Sequence, residues 1–244
     1  DITIRVLDSW SLIPKGSVSN SKVNFKVIER NILGTGHELE NQFKNRFSDG
    51  KNAYNVAYTV PNIKNTFIST KISYNIDLEN YYQKSIAIGR SFYSPLTKWA
   101  GGIYVDQQFR KDSLQDSNLV YATQNFKYST HDFWIGRSFR IFKGYNENEP
   151  TTNLITTARF LNVKYLESPV LEYDTTDFYS NEKLALFGIG ISSRNFIRDR
   201  YIFRNGIIED VPIGKIFGIT SGYQYKNSTD RYYLGGRAAF GNFY

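Results

Sequence analysis

The two histidines, His37 and His131, are the side chains with which this sequence could build a nucleophile–base pair or a metal site. A Ser–His–Asp triad, or a metal site with two histidines, would have to use one or both of them. His37 follows a glycine-containing turn, and His131 stands beside Asp132 where we expect a strand to begin. Both positions are typical of hydrophilic loop residues, so the sequence predicts no catalytic residue and no enzyme.

Clustered acids and glycines offer two other kinds of chemistry, cation binding and dinucleotide binding. Asp174 with Asp177, and Glu209 with Asp210, supply the oxygens that calcium prefers, but neither pair has the spacing of a known calcium loop. Residues 188–190, Gly-Ile-Gly, lack the third glycine and the following helix of a dinucleotide site. The chain has no cysteine, which excludes disulfides, Cys-ligated zinc and a thiol nucleophile. We therefore expect no cofactor and no bound metal.

The composition indicates which class of fold the chain adopts. Aromatic residues make up 16% of the 244 residues, yet only 41% are hydrophobic and the mean hydropathy is −0.44. A transmembrane β-barrel combines these features, because its strands alternate apolar outward residues with polar inward ones between aromatic girdles. No apolar run approaches the roughly 20 residues of a membrane-spanning helix. The formal net charge of +7 suits an anionic lipid or an acidic partner, but the basic residues are scattered, so we expect no nucleic acid as a partner.

Apolar and polar residues alternate with period two through most of the chain, which predicts β-strands. In the clearest segment Ile68, Ile72, Tyr74 and Ile76 share one face. The other segments with this pattern are 23–29, 39–47, 54–60, 82–92, 99–110, 133–142, 153–163, 184–194, 217–225 and 232–241. They predict an all-β fold of about eleven antiparallel strands, close to the roughly 9 to 11 residues that cross a bilayer. The apolar faces would contact lipid; in the alternative, a soluble β-sandwich, they would pack against each other.

The first 21 residues differ from the rest of the chain. Ile2, Ile4 and Val6 alternate in a short strand, and residues 9–20, which include Pro14 and Gly16, are loop-like. We interpret residues 1–21 as the end of a preceding module with its linker, and residues 22–244 as the barrel domain.

The string Gly-Arg-Ser-Phe occurs twice, at residues 89–92 and 136–139. Chance is one interpretation of two such short matches. The other is a barrel built of similar hairpins, in which each string ends a strand in the same way.

Residues 29–39, Glu-Arg-Asn-Ile-Leu-Gly-Thr-Gly-His-Glu-Leu, resemble the first hairpin of BamA-type and TamA-type surface-antigen barrels, the superfamily of outer-membrane protein assembly and secretion pores. Residues 8–14 are similar to the junction between that superfamily's last periplasmic POTRA module and its barrel. Residues 58–62, 89–100 and 206–214 resemble later barrel positions in the same order, so the resemblance covers most of the chain.

The resemblance implies an antiparallel transmembrane β-barrel of about sixteen strands, of which this chain would hold about eleven. It also implies a late loop with an Arg-Gly-Phe or Arg-Gly-Tyr motif inside the lumen, and this sequence has no match to it. An open sheet in lipid would leave backbone groups unpaired. We therefore expect residues 1–21 to end a POTRA-like module and the last strands of the barrel to lie beyond the sequence; the alternative is a smaller closed barrel that ends at Phe243 and Tyr244.

In the superfamily, the first barrel strand pairs poorly with the last, and an incoming strand adds to its edge. The resemblance implies a protein of the Gram-negative outer membrane that assembles, inserts or translocates unfolded outer-membrane or secreted client proteins. It would contact the bilayer and lipopolysaccharide, with periplasmic accessory proteins as further partners. The turn of the first hairpin would be formed by Gly34, Thr35 and Gly36, because glycine adopts positive φ without steric cost. The client-pairing edge would be Val23, Asn24, Phe25, Lys26, Val27 and Ile28.

Two other functions fit the same sequence. One is a passive outer-membrane channel or receptor, in which lysine and arginine side chains select anionic solutes. The other is a soluble β-sandwich that acts as a binding module. A shared fold does not choose among these functions.

Overall fold

The computed structural model describes residues 10–94, 96–142, 151–200, 206 and 208–242. These residues form an all-β structure, as the alternation predicts, and their only helical segments are two 3-10 turns, Ile32–Gly34 and Ile63–Asn65. None of the described helical segments has the length and apolar character to cross a membrane. The strands are β1 (Leu12–Val18), β2 (Lys22–Glu29), β3 (Glu38–Arg46), β4 (Asn52–Val60), β5 (Ser69–Ile76), β6 (Tyr82–Arg90), β7 (Trp99–Gln115), β8 (Tyr121–Phe142), β9 (Thr151–Glu167), β10 (Glu182–Arg200), β11 (Ile208–Lys226) and β12 (Thr229–Gly241).

The twelve strands form one large antiparallel sheet in which every strand pairs with its neighbours in sequence, in the order β1 to β12. The described residues also divide into two compact units. The first unit takes its residues from Asp1–Ile88, Tyr104–Thr130 and Lys164–Tyr179. The second unit takes its residues from Gly89–Ile103, His131–Val163 and Ser180–Tyr244.

In the first unit, one face of the sheet exposes large apolar side chains. Phe25 of β2 lies opposite Phe43 of β3, which lies opposite Tyr54 of β4, and all three side chains are 41–53% exposed. On the other face, Lys26 Nζ lies 2.6 Å from Glu40 Oε1. The period-two pattern thus separates an exposed apolar face from a face of paired polar groups.

The second unit has the same two-faced character. Ile189 of β10 lies opposite Ile219 of β11, and Ile191 lies opposite Phe217; these four side chains are 44–59% exposed. The residues between them on the other face are small or polar: Gly188, Gly190, Ser192, Gly218 and Thr220. An ordinary soluble sheet would bury the apolar set, whereas here it is the exposed one.

Full burial of a large side chain is rare. Phe126 of β8, in the first unit, is 1% exposed and is the largest fully buried side chain among the described residues. Its ring contacts Tyr179 edge to face, with centroids 4.8 Å apart, and the Arg110 guanidinium carbon lies 5.3 Å from its centroid. Asp106 and Asp132 are 3% and 9% exposed, within the range of the buried apolar side chains. The sheet is therefore held together largely by its backbone ladders.

Two sequence predictions require correction. Residues 12–18, predicted as part of a loop, form β1 and pair with β2. The Gly-Arg-Ser-Phe strings do not end strands in the same way, because β6 ends at Arg90 inside the first string whereas β8 runs through the second and ends at Phe142. The predicted strand over Ile2–Val6 and the aromatic pair Phe243 and Tyr244 lie outside the described residues.

Candidate functional site

The outer edge of β1 is the candidate site for strand addition, because β1 stands at one end of the strand order. The predicted edge residues, Val23 to Ile28, belong to β2. They pair with β1 on one side and with β3 on the other. Within the described residues, the strands with one unpaired side are therefore β1 and β12, and β2 is not one of them.

The hydrogen bonds at both ends of β1 identify which backbone groups face outward. The Ser19 N–H donates to the Lys22 carbonyl at 2.9 Å, and the Arg30 N–H donates to the Ser11 carbonyl at 3.0 Å. Since the N–H and C=O of one strand residue point to the same side and alternate along the strand, the odd-numbered residues of β1 face β2. The outward groups belong to Leu12, Pro14, Gly16 and Val18.

The outward edge offers a short run of unsatisfied backbone groups. Leu12, Gly16 and Val18 each present an N–H and a carbonyl, and Pro14 presents a carbonyl alone. Proline is tolerated here because its missing N–H would not have faced β2. The Leu12 and Val18 side chains are 47% and 77% exposed. This edge can accept another extended chain through main-chain hydrogen bonds, with side chains supplying little of the affinity.

The first-hairpin turn has the backbone geometry that its glycines predict. Gly34 has φ +76° and Gly36 has φ +73°, and Leu33 before them is also left-handed, with φ +49°. The Asn31 side-chain oxygen accepts the Gly36 N–H at 2.6 Å, and the Thr35 hydroxyl donates to the Ile32 carbonyl at 2.6 Å. Thr35 thus closes the turn through its side chain, while the two glycines supply its conformation.

A second turn of the same design joins β4 to β5, and the sequence predictions missed the likeness. The Asn62 side-chain oxygen accepts the Phe67 N–H at 2.8 Å, and the Thr66 hydroxyl donates to the Ile63 carbonyl at 2.6 Å. The left-handed residues are now Lys64, Asn65 and Phe67. The signal is visible in the sequence as Asn-Ile, two further residues and then Thr, at residues 31–35 and 62–66.

A charged cluster joins two turns of the first unit. Arg46 donates to Asp49 at 2.6 Å and to Glu79 at 2.7 Å, and Lys51 Nζ lies 2.5 Å from Glu79. The hydrogen bond from Arg46 is the main cause that lowers the pKa of Asp49 from 3.8 to about 2. The hydrogen bonds from Lys51 and then Arg46 lower the pKa of Glu79, and the contact with Glu79 raises the pKa of Lys51. All four groups remain charged at neutral pH and link the β3–β4 turn to the β5–β6 turn.

The polar face carries buried acids whose oxygens are well partnered. In the first unit, Asp106 accepts hydrogen bonds from Tyr104 at 2.9 Å, from Gln108 at 2.5 Å and from the Thr130 N–H at 3.2 Å. In the second unit, Arg159 donates two hydrogen bonds to Asp132, of 2.8 and 2.5 Å. These hydrogen bonds satisfy the buried carboxylates and link neighbouring residues of the sheet.

A cavity of about 350 Å³ adjoins Asp132 and Arg159 on the polar face of the second unit. Its wall includes Trp134, Thr157 and Gly188. The described residues contain no cluster of three or more potential metal ligands. The cavity therefore presents neutral hydrogen-bonding groups beside the ion pair of Asp132 and Arg159.

His37 and Asp174 have structural partners, whereas the Nδ1 atom of His131 is buried without a hydrogen bond among the described residues. His37 Nδ1 lies 2.6 Å from the Tyr58 hydroxyl, which ties the first-hairpin turn to β4. His131 lies inside β8 and not at a strand start, so that expectation is wrong. Asp174 accepts the N–H groups of Phe178 and Tyr179, both at 2.8 Å, and so closes the turn that contains Asp177.

Comparison of the chain with protein-family models, with curated proteins and with solved structures finds no match.

Proposed function

We propose that this chain forms part of a transmembrane β-barrel in the outer membrane of a Gram-negative bacterium. The observation that supports a membrane setting is the inversion of the two faces. Large apolar side chains such as Phe25, Phe187 and Ile219 are 53–59% exposed, whereas Asp106 and Asp132 are 3% and 9% exposed. Lipid stabilises an apolar outer face of this kind, and a hydrated lumen suits the polar one.

Within that barrel, the proposed activity is the assembly, insertion or translocation of other β-proteins by strand addition. The outer edge of β1 carries this proposal, because its outward N–H and carbonyl groups have no strand partner within the described residues. In a bilayer, unpaired backbone groups cost several kcal/mol each, as an order of magnitude, so an edge strand there favours any extended chain that satisfies them. The clients would be unfolded outer-membrane or secreted proteins. The resemblance of residues 29–39 to BamA-type barrels supports the same activity, with lipopolysaccharide and periplasmic accessory proteins as the expected surroundings.

A cysteine cross-linking experiment tests strand addition directly. The chain contains no cysteine, so an engineered cysteine is the only thiol. Val18 and Val23 lie opposite each other in the β1–β2 register, which makes Val18→Cys the test variant and Val23→Cys its control. The probe is a synthetic peptide of about ten residues with alternating apolar and polar side chains and one cysteine.

We expect the peptide to form a disulfide with Val18→Cys and far less with Val23→Cys, because Val23 already has a strand on each side. Moving the cysteine along the peptide should make the yield alternate with period two, as a strand requires. Equal yields for the two variants, or a yield independent of the peptide position, would show that side-chain accessibility and not strand pairing controls the reaction.

A further inference from the structure

The cavity of about 350 Å³ beside the Asp132–Arg159 ion pair is lined from four neighbouring strands of the second unit. Its other lining residues include Trp134 of β8, Thr157 of β9, Gly188 of β10 and Thr220 of β11. The volume lies at the lower end of the range for small-molecule sites, about 300–1,000 Å³. The cavity therefore has room for a small ligand.

The strand register places the polar groups of the cavity on one face of the sheet. Gly188 lies opposite Thr157 in β9 and opposite Thr220 in β11, and opposed residues of an antiparallel pair share a face. Arg159 is two positions from Thr157 on β9, so it shares that face too. Asp132 accepts the hydrogen bonds of Arg159 from the same side of the sheet. The ion pair and both threonines thus border the same space.

Two hydroxyl groups flank the space above Gly188. A β-carbon at Gly188 would lie 2.6 Å from Thr157 Oγ1 and 3.5 Å from Thr220 Oγ1. Neither hydroxyl has a hydrogen bond within the part of the chain that the structure describes, and both oxygens are accessible to solvent. Each hydroxyl can therefore donate one hydrogen bond to a ligand and accept another.

The ion pair adds hydrogen-bond donors without adding net charge. Arg159 uses two of its five N–H groups on Asp132, so three remain, and its side chain is 51% exposed. The Asp132 carboxylate balances the guanidinium charge, and the other lining residues are uncharged. Because a charged ligand would lose hydration without meeting an unpaired opposite charge, the lining favours a neutral ligand.

One wall of the cavity is apolar. Trp134 is two positions from Asp132 on β8 and shares its face, and the Trp134 ring extends from above Gly102 of β7 to the cavity. Leu186, which lies opposite Arg159, adds an aliphatic side chain. The electron-rich face of an aromatic ring attracts weakly polarised C–H groups. The lining therefore suits a ligand that has hydroxyl groups on its rim and C–H groups on its faces.

We propose that this cavity, lined by Trp134, Thr157, Arg159, Leu186 and Thr220, binds a neutral saccharide. The hydroxyl groups of a sugar ring both donate and accept hydrogen bonds, its faces carry C–H groups, and it has no charge. The inference goes beyond the proposed function and is independent of it, since the outer edge of β1 takes no part in lining the cavity.

The test is calorimetric titration of the whole 244-residue chain in a detergent without a sugar headgroup, tetraethylene glycol monooctyl ether. The neutral probes are the methyl glycosides of glucose, galactose and mannose. Glucuronate and glucosamine are the charged probes, and cyclohexanol retains a six-membered ring with a single hydroxyl.

The test variant combines Thr157→Val and Thr220→Val, which removes both hydroxyls and keeps the shape of the side chains. The matched control combines Thr156→Val and Thr123→Val. Thr156 precedes Thr157 on the opposite face of β9, and Thr123 is an exposed residue of β8 outside the cavity.

We expect at least one methyl glycoside to bind at least about tenfold more tightly than the charged probes and cyclohexanol, because the cavity is neutral and its hydroxyls require partners. The test variant should weaken that binding by about 4–100-fold, the effect of two lost hydrogen bonds, and the control variant should not change it. Three results overturn the proposal: no binding of any methyl glycoside, equal or tighter binding of another probe, or an equal loss in the control variant.

Tryptophan fluorescence locates the bound sugar. In a variant that retains only Trp134, the sugar should change the emission with the dissociation constant found by calorimetry, and an unchanged emission would overturn the assignment to this cavity. Circular dichroism of both double variants establishes that the β-sheet signal is unchanged. Failure of Val18→Cys to capture a peptide bears on strand addition alone, since Val18 and the cavity belong to different units.

Discussion

At the residue scale, several glycines on the polar face of the second unit, Gly190 among them, mark places where neighbouring groups come too close for a side chain. A β-carbon at Gly190 would lie 2.8 Å from the Phe217 carbonyl oxygen, which is part of the adjacent backbone and cannot move aside. At Gly236 of β12 nothing lies within 4 Å of that position. Neither residue has positive φ; Gly236 lies opposite Ile219 on the apolar face and has open space beside it.

We expect Gly190→Ala to lower the free energy of unfolding by about 1–3 kcal/mol, because overpacking forces the β10 and β11 backbones apart. Gly236→Ala should change it by less than about 0.5 kcal/mol. Urea-induced unfolding from detergent micelles, followed by the far-ultraviolet β-sheet signal, gives both values. A loss in Gly236→Ala as large as that in Gly190→Ala would contradict the steric argument.

The charged cluster of Arg46, Asp49, Lys51 and Glu79 predicts a pH dependence. The pKa of Asp49 is lowered from 3.8 to about 2, so the folded state binds its proton less readily than the unfolded state does. The contribution of Asp49 to stability is therefore fully present above about pH 4 and is lost as the pH falls toward 2.

Carbon-13 NMR of the Asp49 carboxyl should show a midpoint near pH 2 in the unmodified chain. In Arg46→Gln the midpoint should rise toward 3.8, since the hydrogen bond from Arg46 is the main cause of the shift. Lys51→Gln should move it much less. An unchanged midpoint in Arg46→Gln would mean that the two side chains are not paired in solution.

At the element scale, β1 explains why one strand could not be predicted. Pro14 and Gly16 favour a loop, and nearly all of its side chains are exposed, so no apolar stripe appears. The strand forms because the backbone groups of its odd-numbered residues pair with β2, and none of those residues is proline. The other missed segments include the first half of β8, in which Phe126 is buried on the otherwise polar face and the alternation is lost, and residues 208–216 of β11.

The remaining elements were predictable from the sequence because exposure alternates along them. The segments 39–47, 54–60 and 82–92 match β3, β4 and β6 within a few residues at each end. The turn at Gly34 and Gly36 was likewise predictable from its glycines. The identity of the edge strand was not predictable. Val23 to Ile28 come first in the alternating series, but which strand lies at the edge depends on strand pairing, and alternation does not report pairing.

Proline substitutions in β1 separate its two sides. The Val18 N–H faces outward and the Ser17 N–H faces β2, so Val18→Pro deletes an edge donor while Ser17→Pro deletes a ladder donor. We expect Ser17→Pro to lower the free energy of unfolding by about 1–3 kcal/mol. Val18→Pro should leave stability nearly unchanged.

In the peptide-binding assay, Val18→Pro should bind the alternating peptide about 2–10-fold more weakly, which is the effect of one lost hydrogen bond. Val18→Ala retains the N–H and serves as the control. Equal binding by the proline and alanine variants would show that the outward backbone of β1 is not the site of addition.

At the scale of the whole molecule, the three tryptophans sample different environments and can test the membrane setting. Trp99 lies on the exposed apolar face. Trp134 lies on the polar face, where its Nε1 occupies the space 2.5 Å from a β-carbon at Gly102. Trp10 precedes β1 and is 89% exposed.

We expect brominated phospholipids to quench a variant that retains only Trp99 far more strongly than one that retains only Trp134, because bromine quenches rings that touch the acyl chains. The other tryptophans are replaced by phenylalanine in each variant. The extent of quenching is the ratio of tryptophan fluorescence in vesicles of brominated phosphatidylcholine to that in vesicles of unbrominated phosphatidylcholine. Equal quenching of the two variants would contradict the assignment of faces to lipid and lumen.

The order of the strands has a consequence for how fast this chain folds. Every ladder joins segments that are consecutive in sequence, so each hairpin closes a short loop and the entropy lost per step is small. The β2–β3 and β4–β5 hairpins, with their matching turns, can form before any distant part of the chain arrives. A sheet of this connectivity can form one hairpin after another. Its folding rate then depends on the closure of short loops and not on contacts between segments distant in sequence.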